Sequence, residues 1–373
     1  MRSHKRTIEQ RWVDLVCGEP RTLAARAALL GLRLLSLPYL VGLKANLGLY
    51  RAGLLRREHM PCPVISVGNL TLGGTGKTSL CATIARYISD AGVPAAILLR
   101  GYRRPSREPI VVVSDCQGEI RAGYAEAGDE ALMLARQLPG VAVVVGKNRV
   151  ATGRLACAEL GAKALILDDG LSYFRMERNL EIVLIDATRP QDLRRLFPAG
   201  MLREPLSHLR RAHLVCLSHT ALAPEEDVSR IITEVRVHTM RPIIQGTHRP
   251  TYVRRLGSAE RQPPTAIAGR KLLCLCGIGN PAAFQRTVER LGAQVVGSWQ
   301  LPDHGPLDAA GFHSVLQAAE QAEAEDIITT EKDAVRLEAI PGTGRLLVLG
   351  VRFTLTSGAA ELYKRLEELI VSS

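Results

Sequence analysis

Aromatic residues, paired cysteines and long apolar runs are scarce in this chain of 373 residues. Aromatics make up 4% of it, which argues against stacking platforms for single-stranded nucleic acid, so we expect no nucleic-acid partner. The eight cysteines form no CxxC pair and show no metal-ligand spacing, as is typical of proteins in a reducing cytosol. No cleavable signal pattern is visible. The composition, 46% hydrophobic and 23% charged, is that of a globular protein long enough for two domains.

Positive charge is concentrated at the N-terminus. Residues 1–57 contain eleven Lys and Arg against three acidic residues, so +8 of the formal net charge of +11 lies there. Such a segment binds nucleic acid or an anionic membrane surface, and its many leucines favour the membrane. Its longest charge-free run, residues 34–43, has ten residues and includes Pro38, whereas a spanning helix needs about 20. We therefore expect a helix in the membrane interface; an amphipathic helix docked on the protein is the alternative.

The rest of the chain alternates short β-branched runs with segments of helical length. This alternation is typical of an α/β fold, a mostly parallel sheet with helices on both faces. Buried strands are predicted at CPVISV, AAILL, PIVVV, VAVVV, ALIL, EIVLI and HLVCL. Residues 241–270 indicate a short β pair and a linker. A second, smaller α/β unit follows, with strands at KLLCLC, QVVGS, DIITT and RLLVLG; Cys274 and Cys276 alternate in the first of these, which favours a buried strand over a metal site.

A glycine-rich loop follows the first predicted strand, in the sequence SVGNLTLGGTGKTSL at 66–80. It matches the phosphate-binding pattern GxxxxGK[ST] except at the first position, where Thr71 replaces glycine. Because the loop joins a strand to a helix, its backbone N–H groups and the helix N-terminus favour a bound phosphate. Lys77 would contact the β- and γ-phosphates and the Thr78 hydroxyl would bind Mg²⁺. A glycine turn that precedes Lys-Thr by chance is the alternative. The predicted nucleotide-binding residues are Thr71, Leu72, Gly73, Gly74, Thr75, Gly76, Lys77 and Thr78.

Paired carboxylates at the end of another predicted strand supply a partner for the metal ion. In ALILDDG, four apolar residues precede Asp168, Asp169 and a glycine. The carboxyl ends of parallel strands border the crevice in which ligands bind. Asp168 and Asp169 are therefore candidate Mg²⁺ ligands, with a capping or turn role as the alternative.

Eight motifs in order resemble one family. They are VGNLTLGGTGKT, LLRGY, AGDEALMLA, LDDG, FPAGMLREP, GIGNPAAF, PDHGPL and TTEKDAVRL, spread over residues 60–340. In order and spacing they resemble the tetraacyldisaccharide 4′-kinases, or lipid A 4′-kinases. The resemblance implies transfer of the γ-phosphate of ATP to the 4′-hydroxyl of a lipid A disaccharide 1-phosphate, at the cytoplasmic face of the inner membrane.

The same resemblance implies roles for individual positions. Asp168 and Asp169 match the family's acidic pair near Mg²⁺, and Glu204 in LREP matches a glutamate near the metal and nucleotide. Asp129 in GDE matches the carboxylate that activates the acceptor hydroxyl. His304 in PDHG matches its histidine partner, and Tyr102 in RGY matches a tyrosine near that dyad.

The chain departs from the family pattern at three places. The family usually has DDGFQH where this chain has DDGLSYF, so that Ser172 and Tyr173 replace Gln and His. Arg103 replaces a glycine in RGYGR, and Gly305 follows His304 where a second histidine is common.

Two further motifs have simpler interpretations. GIGNPA, residues 277–282, satisfies GxGxxG/A, but no acidic residue ends the next strand as a dinucleotide site would need; we expect a packing turn or a contact facing the cleft. TEKD, residues 330–333, has capping-box spacing, and we expect a cap, with an added role at the domain interface as the alternative.

The predicted organisation is a basic apolar leader (1–57), a P-loop kinase domain (58–240), a β-pair linker (241–270) and a smaller C-terminal α/β domain (271–373). A nucleotide-binding protein that has lost catalysis is the alternative function, which DDGLSYF favours and intact Asp129 and His304 oppose. A P-loop GTPase would need an NKxD-like motif, and the sequence contains none. We expect a monomer that binds ATP, Mg²⁺, the lipid substrate and an anionic membrane surface.

Overall fold

One sheet of twelve strands runs through the part of the chain that the computed structural model describes, residues 8–18, 22–102, 104–301 and 309–371. Arg103 and His304 lie outside the described residues. The strands are β1 Val64–Asn69, β2 Ala95–Leu99, β3 Ile110–Ser114, β4 Ala142–Gly146, β5 Ala164–Asp168, β6 Leu180–Asp186, β7 Leu214–Ser218, β8 Ile243–Arg255, β9 Lys271–Cys276, β10 Gln294–Gln300, β11 Asp326–Thr330 and β12 Leu346–Ser357.

The helices connect these strands and cover both faces of the sheet. The α-helices are α1 Ile8–Cys17, α2 Leu23–Arg51, α3 Lys77–Asp90, α4 Tyr124–Ala127, α5 Asp129–Gln137, α6 Arg149–Ala158, α7 Glu225–His238, α8 Pro281–Arg290, α9 Ala309–Gln321, α10 Glu331–Leu337 and α11 Ala359–Val371. Short 3₁₀ helices lie at Pro190–Leu193, Leu206–Arg211, Thr220–Leu222, Pro264–Ile267 and Thr343–Arg345.

The strand order is β10-β9-β11-β12-β8-β7-β6-β1-β5-β2-β4-β3. Adjacent strands are parallel except in two pairs, β3 with β4 and β8 with β12. β1 lies between β5 and β6, and Val67 of β1 is in register with Asp168 of β5. The loop after β1 therefore begins beside the Asp168–Asp169 pair. The predicted α/β class is confirmed.

The core lies on both faces because nearly every central strand residue is buried. In β1, Ile65 and Val67 pack on the face that α3 covers, with Leu80 and Ile84, while Val64 packs on the opposite face. The same alternation holds in β9, where Cys274 and Cys276 pack with Phe284 of α8 and the intervening strand residues pack on the other face. Continuous apolar runs with a helix on each face are typical of buried parallel strands, and the prediction that both cysteines lie in such a strand is confirmed.

The two halves of the chain meet at the antiparallel pair β8 and β12. Residues 243–255, predicted as part of a short β pair, form one strand of 13 residues that pairs with β7 on one side and β12 on the other. Pro250 is tolerated inside this strand because the β12 register shifts between Gly350 and Val351, opposite it. The sheet is continuous across this point, and the predicted domain boundaries remain predictions.

The described part of the leader forms two helices, the short α1 and the long α2. α2 has 29 residues and continues through Pro38, so it is about 43 Å long at 1.5 Å per residue. By length and composition this helix could cross a membrane. The charge-free run of ten residues, considered alone, predicts a segment too short to do so. One side contacts the protein: the Tyr39 hydroxyl donates to the Arg203 carbonyl at 2.9 Å, and the Tyr50 and Phe174 rings are 5.7 Å apart. The other side exposes leucines and valines, with Leu23 83% and Val41 66% exposed.

Candidate active site

The glycine-rich loop has the backbone conformation of a phosphate cradle. Gly73 and Gly76 have φ of 103° and 88°, a region that side-chain-bearing residues rarely adopt. Gly76 is the N-cap of α3, and Lys77 and Thr78 form its first turn. The first N–H groups of a helix have no partner within the helix, so this helix end favours an anion. Leu72 N donates to the Met201 carbonyl at 2.7 Å and so holds the loop against the FPAGMLREP segment.

The two reactive side chains of the loop contact the paired carboxylates. Thr78 Oγ1 donates to Asp168 Oδ2 at 2.9 Å. Lys77 Nζ donates to Asn69 Oδ1 at 3.0 Å and lies 3.8 Å from Asp169 Oδ1. The structure therefore brings together the loop and the acidic pair that the sequence predicted separately.

The two aspartates differ in their environments. Burial, followed by the nearby charge of Glu130, raises the pKa of Asp168 to about 6, although Lys77 and the hydrogen bond from Thr78 oppose both effects. Burial would also raise the pKa of Asp169, but Lys77 and Arg203 outweigh it and hold that pKa well below its usual range. Asp169 is thus held ionised by its cations.

Three residues of this cluster were not predicted from the sequence. Arg203 forms a two-bond ion pair with Asp169, at 3.0 and 2.7 Å, and also donates to the side chain of Asn69. Buried Arg149 donates to the Asp168 carbonyl at 3.4 Å. Asn69 and Arg203 lie inside two of the quoted motifs, and this position was the sequence signal that could have identified them as site residues. Arg149 opens α6, and only the packing of that helix places it here.

Glu204 is buried and fully engaged by neighbours other than the paired aspartates. Oε1 accepts from the Ser172 hydroxyl at 2.7 Å. Oε2 lies 2.8 Å from His208 Nδ1 and also accepts from Arg211. Burial would raise the pKa of Glu204, but these contacts, led by His208, lower it. Ser172, one of the departures from the family pattern, therefore occupies one oxygen of the glutamate, and the role of Glu204 at the metal remains a prediction.

Asp129 begins α5 at the same edge of the sheet. Its side chain is 5% exposed, and Oδ1 accepts from the N–H of Glu130 at 2.9 Å. Gly128, the N-cap of α5, has φ of 82°, so the chain turns sharply immediately before the helix begins. The charge of Glu130 reaches Asp168, so the GDE motif lies near the acidic pair. The predicted partner His304 lies outside the described residues, and Tyr102 is exposed; the roles of these residues remain predictions.

The donor set at this edge fits Mg²⁺ with a nucleotide better than a metal ion held by protein alone. Asp168 Oδ1 is buried and accepts no hydrogen bond from the described residues, while Oδ2 and the Thr78 hydroxyl lie beside it. In the described part of the chain, no group of three or more His, Cys, Asp and Glu side chains could hold a metal. Mg²⁺ is usually bound through one or two carboxylates plus phosphate oxygens and water, so Thr78 and Asp168 suit it.

The GIGNPA and TEKD motifs both lie at contacts between the two halves of the chain. The Gly279 backbone packs on Gly74 of the loop, which confirms the packing turn that was one of the two expectations. Thr330 accepts from the N–H of Asp333 at 3.2 Å and caps α10, as predicted. Lys332 of the same motif donates to Glu130 at 2.9 Å, so the cap also has the interface role that was the alternative.

An open cavity of about 370 Å³ lies between the end of α2 and the turn after Asp169. Polar, cationic and aromatic side chains line it, among them Asn46, Tyr50, Lys147, Ser172, Tyr173 and Arg175. The leader helix and the two residues that depart from the family pattern, Ser172 and Tyr173, therefore line the same cavity.

Comparisons with known proteins point to one family. A family profile described as tetraacyldisaccharide-1-P 4′-kinase (LpxK) matches residues 28–370. The chain is 38% identical over 314 residues to the tetraacyldisaccharide 4′-kinase of Syntrophus aciditrophicus (strain SB), covering 82% of this chain and 83% of the relative. It is 32% identical over 368 residues to that of Halothermothrix orenii (strain H 168), covering 94% and 95%. The fold is similar to that of LpxK from Aquifex aeolicus crystallised with ATP, with a TM-score of 0.72 and 30% identity over 92% of this chain and 99% of that one.

Proposed function

Because the chain belongs to the tetraacyldisaccharide-1-P 4′-kinase family, we propose that it transfers the γ-phosphate of ATP to the 4′-hydroxyl of a tetraacyldisaccharide 1-phosphate. The observation that carries this proposal is the hydrogen bond from the P-loop Thr78 to Asp168. It supports the proposal because it brings the glycine-rich loop into contact with a carboxylate that could bind Mg²⁺, an arrangement that a kinase requires and a packing turn does not.

The loop and its neighbours hold the phosphates of ATP. Backbone N–H groups of the loop and the N-terminus of α3 bind phosphate oxygens, and Lys77 adds a positive charge that Asn69 and Asp169 orient. Thr78 and Asp168 would hold Mg²⁺, which would supply positive charge against the negative charge that develops during transfer. Arg203 keeps Asp169 ionised and in place, so the cations of the site remain fixed while the phosphoryl group moves.

Asp129 orients the acceptor hydroxyl. In a loose phosphoryl-transfer transition state the hydroxyl proton leaves late, so a carboxylate of ordinary basicity can serve if it is held well. The position of Asp129 at the start of α5, buried and fixed by the Glu130 N–H, meets that need. His304 is proposed as the partner that fixes the direction of the carboxylate and takes up the proton.

The leader places the site at a lipid surface. The exposed leucines of α2 lie among arginines that would reach lipid phosphates. Tyr39 of the same helix donates to the Arg203 carbonyl, so α2 is in direct contact with the LREP segment of the site. We propose that the protein works as a monomer at the cytoplasmic face of the inner membrane, with the acceptor presented from the bilayer.

The test is transfer of labelled γ-phosphate from ATP to a tetraacyldisaccharide 1-phosphate in mixed micelles, with the position of the new phosphate determined by NMR. We expect a product phosphorylated at the 4′ position and dependent on Mg²⁺, and a loss of activity in Asp168→Asn. Lys364→Ala, on the outer face of α11 (side chain 72% exposed), is a matched control that should retain activity. ATP binding without transfer would favour the catalytically impaired alternative and overturn the proposal.

A further inference from the structure

The turn at residues 277–280, between β9 and α8, lies directly on the P-loop. A Cβ on Gly279 would come within 2.2 Å of the Gly74 nitrogen, and a Cβ on Gly74 would lie 3.1 Å from the Gly279 Cα. The two backbones therefore touch at a place that has no room for side chains. The turn from the second half of the chain therefore borders the proposed phosphate site.

Asn280 fastens this turn to the first half. Its Nδ2 donates to Asp186 Oδ2 at 3.0 Å and to Thr188 Oγ1 at 3.1 Å. Its Oδ1 accepts from Ala283 N at 3.1 Å and caps α8. Asp186 ends β6, the strand beside the P-loop strand, so a single amide ties the turn to the edge of the sheet on which the loop lies.

Arg189 lies between the loop and the turn. Its Nη1 donates to the Gly279 carbonyl at 3.2 Å, and its Nε lies 3.0 Å from Asp192 Oδ2. The same Nη1 lies 3.3 Å from where a Cβ on Gly73 would be. Two contacts therefore hold the guanidinium beside Gly73 of the P-loop. Its Nη2 has no hydrogen-bond partner among the described residues.

We propose that Arg189 is a second phosphate-binding cation of this kinase, held in place by the 277–280 turn through Asn280. The proposal rests on the proposed function, since it concerns the ATP of that reaction. The Lys77 ammonium is already shared between Asn69 and Asp169, whereas Arg189 carries donors that are not used. Arginine binds phosphate oxygens through planar paired donors, and added cations stabilise the charge of phosphoryl transfer.

Nucleotide binding tests the assignment without the lipid. ATP and AMP affinities are measured by calorimetry with Mg²⁺ on the full-length protein, for wild type, Arg189→Ala and Arg189→Lys. A charge-assisted hydrogen bond contributes enough that its loss weakens binding by about tenfold or more. We expect that loss for ATP with Arg189→Ala, a smaller loss with Arg189→Lys, and AMP affinity within about twofold. Arg194→Ala, an exposed arginine of the same segment, is the matched control and should match wild type. ATP affinity within twofold of wild type in Arg189→Ala overturns the proposal.

The role of the turn is tested by Asn280→Ala and Asn280→Asp. The aspartate variant repels Asp186 and should release the turn, so both variants should lower ATP affinity and kcat/KM as Arg189→Ala does. Asn280 is proposed to act only by holding the turn whose Gly279 carbonyl positions Arg189. The double variant Arg189→Ala with Asn280→Ala should therefore be no worse than the worse single one. Multiplicative losses would refute the claim that Asn280 acts through Arg189. An absence of transfer in wild type would overturn the proposed function alone, because the comparison of ATP with AMP needs no acceptor.

Discussion

Lys332 Nζ lies 2.9 Å from Glu130 Oε1, and this contact joins the TEKD helix of the second half to the GDE helix of the first. Glu331 beside it accepts from Gln137 at 2.8 Å, and Arg136 pairs with Glu338 at 2.8 and 2.9 Å. α5 and α10 are therefore held together along their length. Because α5 begins at Asp129, the contact also sets where this carboxylate, the proposed group on the acceptor side, lies.

The Lys332–Glu130 pair should show measurable coupling. Partly buried charge pairs contribute more than exposed ones, whose coupling is commonly below about 1 kcal/mol. We expect Lys332→Ala and Glu130→Gln each to lower kcat/KM, and the double variant to lose less than the two single losses combined. A double-mutant cycle on kcat/KM and on urea unfolding measures this. Strict additivity in both would show that the pair does not position α5.

Lys77→Ala should lose at least about 10²-fold in turnover, or about 2.7 kcal/mol of transition-state stabilisation. The reason is that the proposed function assigns this cation, oriented by Asn69 and Asp169, to the transferring phosphates. Single-turnover kinetics at saturating ATP would separate this loss from weaker binding. Lys364→Ala is the control for loss of one lysine. An active Lys77→Ala protein would contradict the assignment of the P-loop.

Asp129→Ala should lose about 10²–10⁴-fold in kcat, the range of general-base contributions, while ATP affinity stays within a few-fold. His304→Ala should lose a similar or smaller factor. Since a dyad acts as a unit, the double variant should be little worse than the worse single one. Steady-state kinetics of the two single variants and the double variant measures these losses. Fully multiplicative losses would show that Asp129 and His304 act independently and do not share the proton of the acceptor hydroxyl.

Membrane binding should depend on the exposed face of α2. We expect wild type to float with anionic vesicles, and high salt to weaken but not abolish flotation, since each basic residue near the surface contributes on the order of 1 kcal/mol and the leucines contribute the remainder. Replacing exposed Leu34 and Val41 by Glu should abolish flotation at high salt. Val237→Glu, an exposed apolar residue on α7, is the control. Wild type that stays wholly soluble with vesicles at low salt would refute the membrane role.

His248 should make stability sensitive to acid. Its ring packs against Gly76 of the P-loop and stacks on His219. Burial, followed by the charge of His219, lowers the pKa of His248 from 6.5 to about 3 although Asp186 opposes this. The unfolded chain therefore binds one more proton than the folded chain between these values. The free energy of unfolding should fall as pH falls from 6.5 toward 3, by at most about 1.4 kcal/mol per pH unit for this group.

Urea unfolding from pH 7 to pH 4 measures that slope. His248→Gln should flatten it, and His313→Gln, an exposed histidine on α9, should leave it unchanged. An equal slope in His248→Gln and wild type would show that His248 is not the titrating group.

The sequence by itself determined the local structure and the identity of the phosphate loop. Most of the short β-branched runs between helix-length segments are buried strands, as β1 and β2 are, so the mostly parallel sheet was predictable from the pattern. β3 is antiparallel and only partly buried, and β10 has no buried residue, because both lie at the edges of the sheet. The loop was recognisable because the residues of its motif are contiguous: Gly73 to Thr78 are adjacent in the chain, and the same stretch of backbone is proposed to bind the phosphate. The TEKD cap was predictable for the same reason, since Thr330 and Asp333 are three residues apart.

Only the tertiary structure decided which distant groups share the site. Arg203 is far in sequence from Asp169, yet the loop that carries it returns to pair with that carboxylate. The 277–280 turn reaches Gly74 because β8 and β12 join both halves into one sheet. Glu204 is held by Ser172, His208 and Arg211, contacts that the sequence did not indicate, and its role at the metal remains a prediction. Strand order and loop return paths depend on packing over the whole chain, whereas sequence patterns report neighbours within a few residues, which is why these contacts were not predictable.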